Sequence, residues 1–212
     1  MKNTFQLFID NGLCPLPVRD GEKSPAVEQW KHYESQLPTE EDIGKWSAFK
    51  RVGIICGKIS GNLEVIDFDV KNKAGIFEEW KNLLPNTEVL NKCVISKSPS
   101  GGFHVLYRCS EIARNQKLCK VKNPVPLAVP RFLVPIETLG EGGFIVEPPT
   151  DGYEFIQGNH STIPLISVED RNIFITTARA MTEEEDIEKY VPRNKFKEDE
   201  LRPGDEFNLK TS

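Results

Sequence analysis

No stretch restricts the fold more than Leu63-Glu64-Val65-Ile66-Asp67-Phe68-Asp69-Val70. Val, Ile and Phe favour a pleated, half-buried surface, and Gly61-Asn62 supplies a turn just before them, so the run reads as a buried strand. Alternate side chains of a strand share a face. Asp67 and Asp69 therefore point one way, and Ile66, Phe68 and Val70 the other. Two carboxylates side by side in an apolar run repel each other and lose hydration, a cost that a cation between them offsets. Hard oxygen ligands suit Mg²⁺ or Mn²⁺, and such sites commonly hold substrate phosphates as well. An isolated Asp-x-Asp is equally well a strand end whose carboxylates turn into solvent, so the rest of the chain has to decide.

The chain has 212 residues, enough to bury a sizeable core in one large domain or two small ones. It has no apolar run of membrane-spanning length and no signal-peptide pattern, which predicts a cytoplasmic protein with no membrane partner. Cys14, Cys56, Cys93, Cys109 and Cys119 are scattered, odd in number and never spaced as Cys-x-x-Cys, so they read as reduced thiols without a zinc site. The net charge of −5 argues against a surface coated for nucleic acid. The average hides a local excess, however. Between Lys92 and Arg131 eight basic residues face only Glu111, a net of +7. A basic stretch beside an acidic centre is what a site handling polyanions needs.

Periodicity predicts a short helix from Thr4 to Asn11 and an edge strand from Leu13 to Val18, interrupted by Pro15 and Pro17. Thr39-Glu40-Glu41-Asp42 opens a second helix that buries Ile43 and Trp46. Val52 to Cys56 reads as a buried strand, and Ile76 to Leu84 as a helix whose apolar face is core. Asn123 to Pro135 carries four prolines and reads as an extended connection. Ile136–Leu139 and Phe144–Val146 are predicted strands of a hairpin joined by Gly140-Glu141-Gly142-Gly143. A short strand at Tyr153–Ile156 and a helix at Ser167–Met181 follow. His32 and His160 carry no signal beyond polarity.

Two further features bear on chemistry. Lys97-Ser98-Pro99-Ser100-Gly101-Gly102 is a bend whose backbone N–H groups and hydroxyls can hold an anion. The strand Phe103 to Arg108 follows it, with His104 and Arg108 on one face. A histidine two residues beyond such a bend is a candidate ligand for phosphate. Glu137 lies inside a predicted strand, where an unpaired carboxylate needs a reason.

Taken in order, Val-Ile-Asp67-Phe-Asp69, then Ser98-Pro-Ser100-Gly101-Gly102-Phe-His104, then Glu137-Thr-Leu-Gly140-Glu-Gly142-Gly143-Phe-Ile-Val-Glu-Pro148-Pro149 resembles the bifunctional DNA primase/polymerase (Prim-Pol) domain of the archaeo-eukaryotic primase superfamily. Pro15-Leu-Pro17, Lys23-Ser-Pro25, Trp30 and Gly53-Ile-Ile-Cys-Gly57 resemble its N-terminal portion. The resemblance implies an α/β (α+β) primase catalytic core, in which a mixed α/β unit packs on an RRM-like module with the active site in the cleft. It implies that Asp67, Asp69 and Glu137 are catalytic and hold two Mg²⁺ or Mn²⁺ ions. It also implies that His104, with Ser100, Gly101 and Gly102, binds the incoming NTP or dNTP; Arg108, on the strand face of His104, is a further candidate for nucleotide binding. Many relatives have Asp at the third acidic position and Arg two residues later, where this chain has Glu137 and Leu139.

The implied domain covers residues 1–190. Residues 191–212 are then a linker, since Arg202-Pro-Gly-Asp-Glu-Phe-Asn208 resembles the junction leading to a helicase in phage and plasmid primase–helicases. The implied partners are single-stranded DNA template, primer and that helicase. Lys117, Lys120 and Lys122 are candidates for nucleic-acid backbone contacts. Two other readings compete. An Mn²⁺-dependent Asp-x-Asp glycosyltransferase explains the acidic pair but not the Ser-Gly-Gly-x-His element. A catalytically silent replication module would bind single strands and tether a helicase.

Overall fold

A computed structural model describes residues 3–125 and 128–183. The expected linker from residue 190 and the junction-like tail lie outside these described residues. The fold is mixed α+β, with two sheets and four α-helices among the described residues.

The chain starts with α1 (Thr4–Asp10), capped by the Asn3 side chain, and β1 (Cys14–Pro17). Helix α2 (Glu40–Trp46) begins in a capping box in which Thr39 and Asp42 satisfy each other's backbone N–H groups. After β2 (Val52–Ile55) and β3 (Leu63–Phe68) comes α3 (Ile76–Leu83). Five strands follow: β4 (Val94–Lys97), β5 (Phe103–Cys109), β6 (Gln116–Lys122), β7 (Phe132–Leu139) and β8 (Phe144–Glu147). Then come β9 (Glu154–Gln157), the two-residue β10 (Leu165–Ile166) and α4 (Val168–Ala180).

The small sheet runs β1-β2-β8, all antiparallel, with the proline-bearing β1 at its edge as the sequence predicts. The large sheet has seven strands in the order β6-β7-β3-β5-β4-β9, with β10 parallel to β5. One face of the large sheet packs Ile66, Phe68, Val105, Tyr107 and Ile136 against Phe77 and Trp80 of α3 and Phe174 of α4. The other face packs Leu63, Val65, Val94 and Leu106 against the small sheet and against Phe5, Phe8, Ile43 and Trp46 of the first two helices. All five cysteines are buried free thiols: Cys14 and Cys56 in the core beneath the small sheet, the other three in the helix-side core. Burial pushes the thiols of Cys14 and Cys93 up to about 12.

Two expectations are corrected, and one strand is new. Strands β7 and β8 do not form a hairpin: β7 pairs with β3 and β6, while β8 crosses to β2 of the small sheet. The Gly140–Gly143 turn is therefore a crossing between layers. The expected extended connection ends early, because β7 already starts at Phe132. The lysine-rich stretch around Lys120 is strand β6, whose Leu118, Cys119 and Val121 enter the core. Bulges at Lys117/Cys119 and Cys119/Val121 disturb its alternation, which hides the strand period. Among the described residues no helix is long and apolar enough to cross a membrane.

An ion pair is buried under β3. Glu64, with no exposed side-chain surface, accepts Arg171 Nε at 2.5 Å and Nη2 at 2.8 Å. The Tyr107 hydroxyl donates to the same carboxylate at 2.8 Å. The clamp ties α4 to the centre of the large sheet, three residues before Asp67.

Candidate active site

Register builds the site. On β3, Asp67 lies directly opposite His104 of β5 on one side and Glu137 of β7 on the other. Ser96 of β4 lies opposite His104, and Lys117 of β6 opposite Glu137. Directly opposed residues of neighbouring strands present their side chains on the same face. Ser96, His104, Asp67, Glu137 and Lys117 thus form one row across five strands, on the face turned toward the small sheet.

The row is electrostatically loaded. Burial is the main cause that holds the Asp67 carboxyl above the usual range; Asp69 and Glu147 add to the effect, while His104 and Lys23 work against it. Glu137 is raised for the same reasons, burial first and then the charges of Asp67 and Asp69, with Lys117 opposing. Burial alone would lower His104, but the bond and charge of Glu147 and then the charge of Asp67 more than offset it and leave it raised. Asp67 retains 26% side-chain exposure, so its carboxylate can be reached from outside.

Asp69 follows the end of β3. Its N–H donates to Pro135 O at 2.9 Å, which carries the strand line one residue further, and its Oδ1 accepts the Lys71 N–H at 3.0 Å. Among the described residues no three His, Cys, Asp or Glu side chains converge into a closed metal-ligand cluster. The chemistry of the donor set nevertheless fits a hard divalent cation. Asp67, Asp69 and Glu137 offer only carboxylate oxygens, and each raised carboxyl is raised in part by the other acidic groups, an excess of negative charge that a cation relieves.

The bend before β5 is closed by Gly101 N–H to Ser98 O at 2.9 Å and Ser98 N–H to Gly102 O at 2.8 Å. Two of the N–H groups expected to be available for an anion are thus consumed internally. The hydroxyls of Ser98 and Ser100 lie 3.1 Å apart. Gly101 has φ of +85°, the left-handed region that glycine enters without strain. At Gly102 an added Cβ would meet Phe68 O at 2.7 Å, so only glycine lets the bend close onto the end of β3 beside the row.

Of the other expected residues, Arg108 is not brought to the row. It stands opposite Leu63 at the far end of β5, about 13 Å from His104 at strand rise. There its Nη2 donates to Asn11 O at 2.8 Å and Gly12 O at 3.3 Å, bracing the turn after α1. Lys120 and Lys122 are exposed further along β6. Sequence reasoning missed three residues. Glu147 at the end of β8 is fully buried, accepts Ser96 Oγ at 2.8 Å, and bonds His104 Nδ1 through the same oxygen. Its signal was the one noticed at Glu137, a carboxylate inside an apolar strand. Lys23, from an exposed loop, acts electrostatically on both Asp67 and His104. Tyr153 is buried near His104, its ring centroid 6.4 Å from the imidazole. His160 also departs from expectation: it packs against Phe8 and Phe155, with only 10% side-chain exposure.

Compared with known protein families, residues 7–167 match the model of the family described as bifunctional DNA primase/polymerase, N-terminal. The match contains the whole cross-strand row. No curated protein matches the chain.

Proposed function

Because the chain belongs to the bifunctional DNA primase/polymerase family, and is therefore a nucleotidyltransferase-type enzyme, we propose that it joins nucleotides on a single-stranded DNA template, starting chains, extending primers, or both. The observation that carries this reading is the row in which His104, Asp67 and Glu137 stand side by side on adjacent strands. On this reading Asp67, Asp69 and Glu137 would hold Mg²⁺ or Mn²⁺. When bound, these ions would activate the attacking hydroxyl and neutralise the departing pyrophosphate.

The remaining work falls to the chain's own residues. His104 Nε2, the hydroxyls of Ser98 and Ser100, and Lys23 bind triphosphate oxygens and orient the α-phosphate toward the carboxylate side. Donors fixed in a half-buried site strengthen as negative charge develops on the transferring group. Lys117 sits beside Glu137, and Lys120 and Lys122 extend the positive edge along which template or primer backbone runs. The same reading takes the large sheet with α3 and α4 as the RRM-like module, and the N-terminal elements as the unit that completes the cleft. Arg108 has no role in nucleotide binding in this reading.

The test is incorporation of labelled NTP or dNTP on a primed and an unprimed single-stranded template with Mg²⁺ or Mn²⁺. The wild type is expected to be active, and Asp67→Asn and Asp69→Asn each to fall below about a tenth of it, since either loss removes a ligand that acts only through the metal. Activity above that level in both variants rules out the carboxylate assignment. Incorporation that requires template excludes a sugar-transferase type of Asp-x-Asp site, and DNA binding with no incorporation would favour a silent module.

A further inference from the structure

We propose that Glu147 is the positioning residue of the nucleotide site, fixing which nitrogen of His104 faces the substrate; the role rests on the nucleotide-transfer reading, but the bond itself does not. Glu147 belongs to the small sheet, yet its side chain reaches across to the large one. There its Oε1 accepts Ser96 Oγ at 2.8 Å and engages His104 Nδ1. Its backbone is pinned as well. The Glu147 carbonyl accepts Thr150 N–H at 3.1 Å, and Thr150 Oγ1 bridges the N–H and carbonyl of Val52 at 2.8 and 3.0 Å.

A carboxylate with no exposed surface is costly to bury, and only partners that need its charge offset that cost. Glu147 spends one oxygen on Ser96 and His104. Its other oxygen, Oε2, has no hydrogen-bond partner and lies 3.9 Å from His160 Nε2, which has none either. The satisfied end of the carboxylate is therefore the end directed at the site.

The consequence for His104 is geometric. With Nδ1–H given to Glu147, the ring cannot flip without breaking a buried bond, and Nε2 is the nitrogen turned toward the row. Nε2 stands 3.6 Å from Asp67 Oδ1, beyond hydrogen-bond length. Nε2 is aimed into the site and not consumed there, and with the ring carrying both protons it donates to a phosphate oxygen entering beside Asp67. Fixing a ring by a carboxylate on its far nitrogen is a general way to set imidazole orientation.

The experiment uses protein with ¹⁵N-labelled histidine, the His104 resonances being assigned by their loss in His104→Ala. Nucleotide kinetics and template binding are measured on the same samples. In the wild type the His104 Nδ1 proton should be observed, downfield and slow to exchange. Glu147→Leu, which keeps bulk but offers no acceptor, should lose that proton and raise the KM for nucleotide roughly tenfold or more, the scale of one charge-assisted contact, with template affinity unchanged. Glu147→Gln keeps an acceptor without the charge. It should retain the proton at an upfield-shifted position and keep KM within a few-fold of wild type. This second variant carries the test if the leucine variant does not fold. A His104 Nδ1 proton unmoved in either variant, or a KM unchanged in Glu147→Leu, overturns the proposal. A proton lost in Glu147→Leu, in a wild type that incorporates no nucleotide, overturns the assigned activity and supports the positioning bond.

Discussion

Replacing Arg171 with Leu tests the energetics beneath the site. The substitution removes both guanidinium bonds, at 2.5 and 2.8 Å, from a Glu64 carboxylate that has no contact with water. Only the Tyr107 hydroxyl then remains as a donor. Leaving one partner of a buried pair uncompensated costs about 3–5 kcal/mol. For a chain of this size that corresponds to a fall in Tm of roughly 6–20 °C. Urea titration followed by circular dichroism should show a lower midpoint with an unchanged slope, because the surface exposed on unfolding is the same. Adding Glu64→Gln to Arg171→Leu removes the orphaned charge while leaving Tyr107 an acceptor, so the double variant should recover about half of the loss or more. A single variant that loses less than about 1 kcal/mol, or a double variant no better than the single, would refute the assignment of Glu64 as a buried charge held by Arg171.

Three further outcomes are expected. His104→Ala should reduce kcat/KM for nucleotide roughly 10- to 150-fold with little change in DNA affinity, and an unchanged nucleotide titration would return His104 to a structural part. Converting Lys117, Lys120 and Lys122 together to Ala should flatten the dependence of single-strand affinity on salt by about two log units per log unit, at roughly 0.7 for each phosphate neutralised; a wild-type slope would exclude these lysines from the DNA path. Burial lowers His160 to about 4, so the unfolded chain binds its proton first as pH falls. Its contribution to stability is full above about pH 6.5 and lost between there and about pH 4, on the order of 3 kcal/mol. Melts of His160→Phe over that window should show a shallower slope than wild type, and an equal slope would contradict the assignment.

What could be read from the sequence was local, and what could not was pairing. Asp67 and Asp69 announced themselves because two charges inside Val, Ile and Phe violate the strand's own pattern, and His104 because a Gly-Gly bend precedes it. Neither signal reveals that Glu137, about seventy residues away, lands opposite Asp67, since register is set by distant strands. The same limit explains the false hairpin. Gly140–Gly143 has the local chemistry of a tight turn, but the partner of β8 is β2, nearly ninety residues earlier. Arg108 was assigned to the site by sharing a strand face with His104, and four residues of strand carried it away. Glu147 could have been found by the rule applied to Glu137, a carboxylate in an apolar strand.

The buried thiols make the protein its own unfolding reporter. A thiol-specific reagent reacts with the thiolate; burial hides all five sulfurs and disfavours ionisation at Cys14, Cys56, Cys93 and Cys119. Labelling in native buffer then proceeds only through opening of the surrounding structure. Because Cys14 and Cys56 sit beneath the small sheet and Cys93, Cys109 and Cys119 on the helix side, the order in which peptides acquire the label reports which layer opens first. A ligand that bridges the two layers at the row should slow both groups together, turning five inert side chains into a clock for site occupancy.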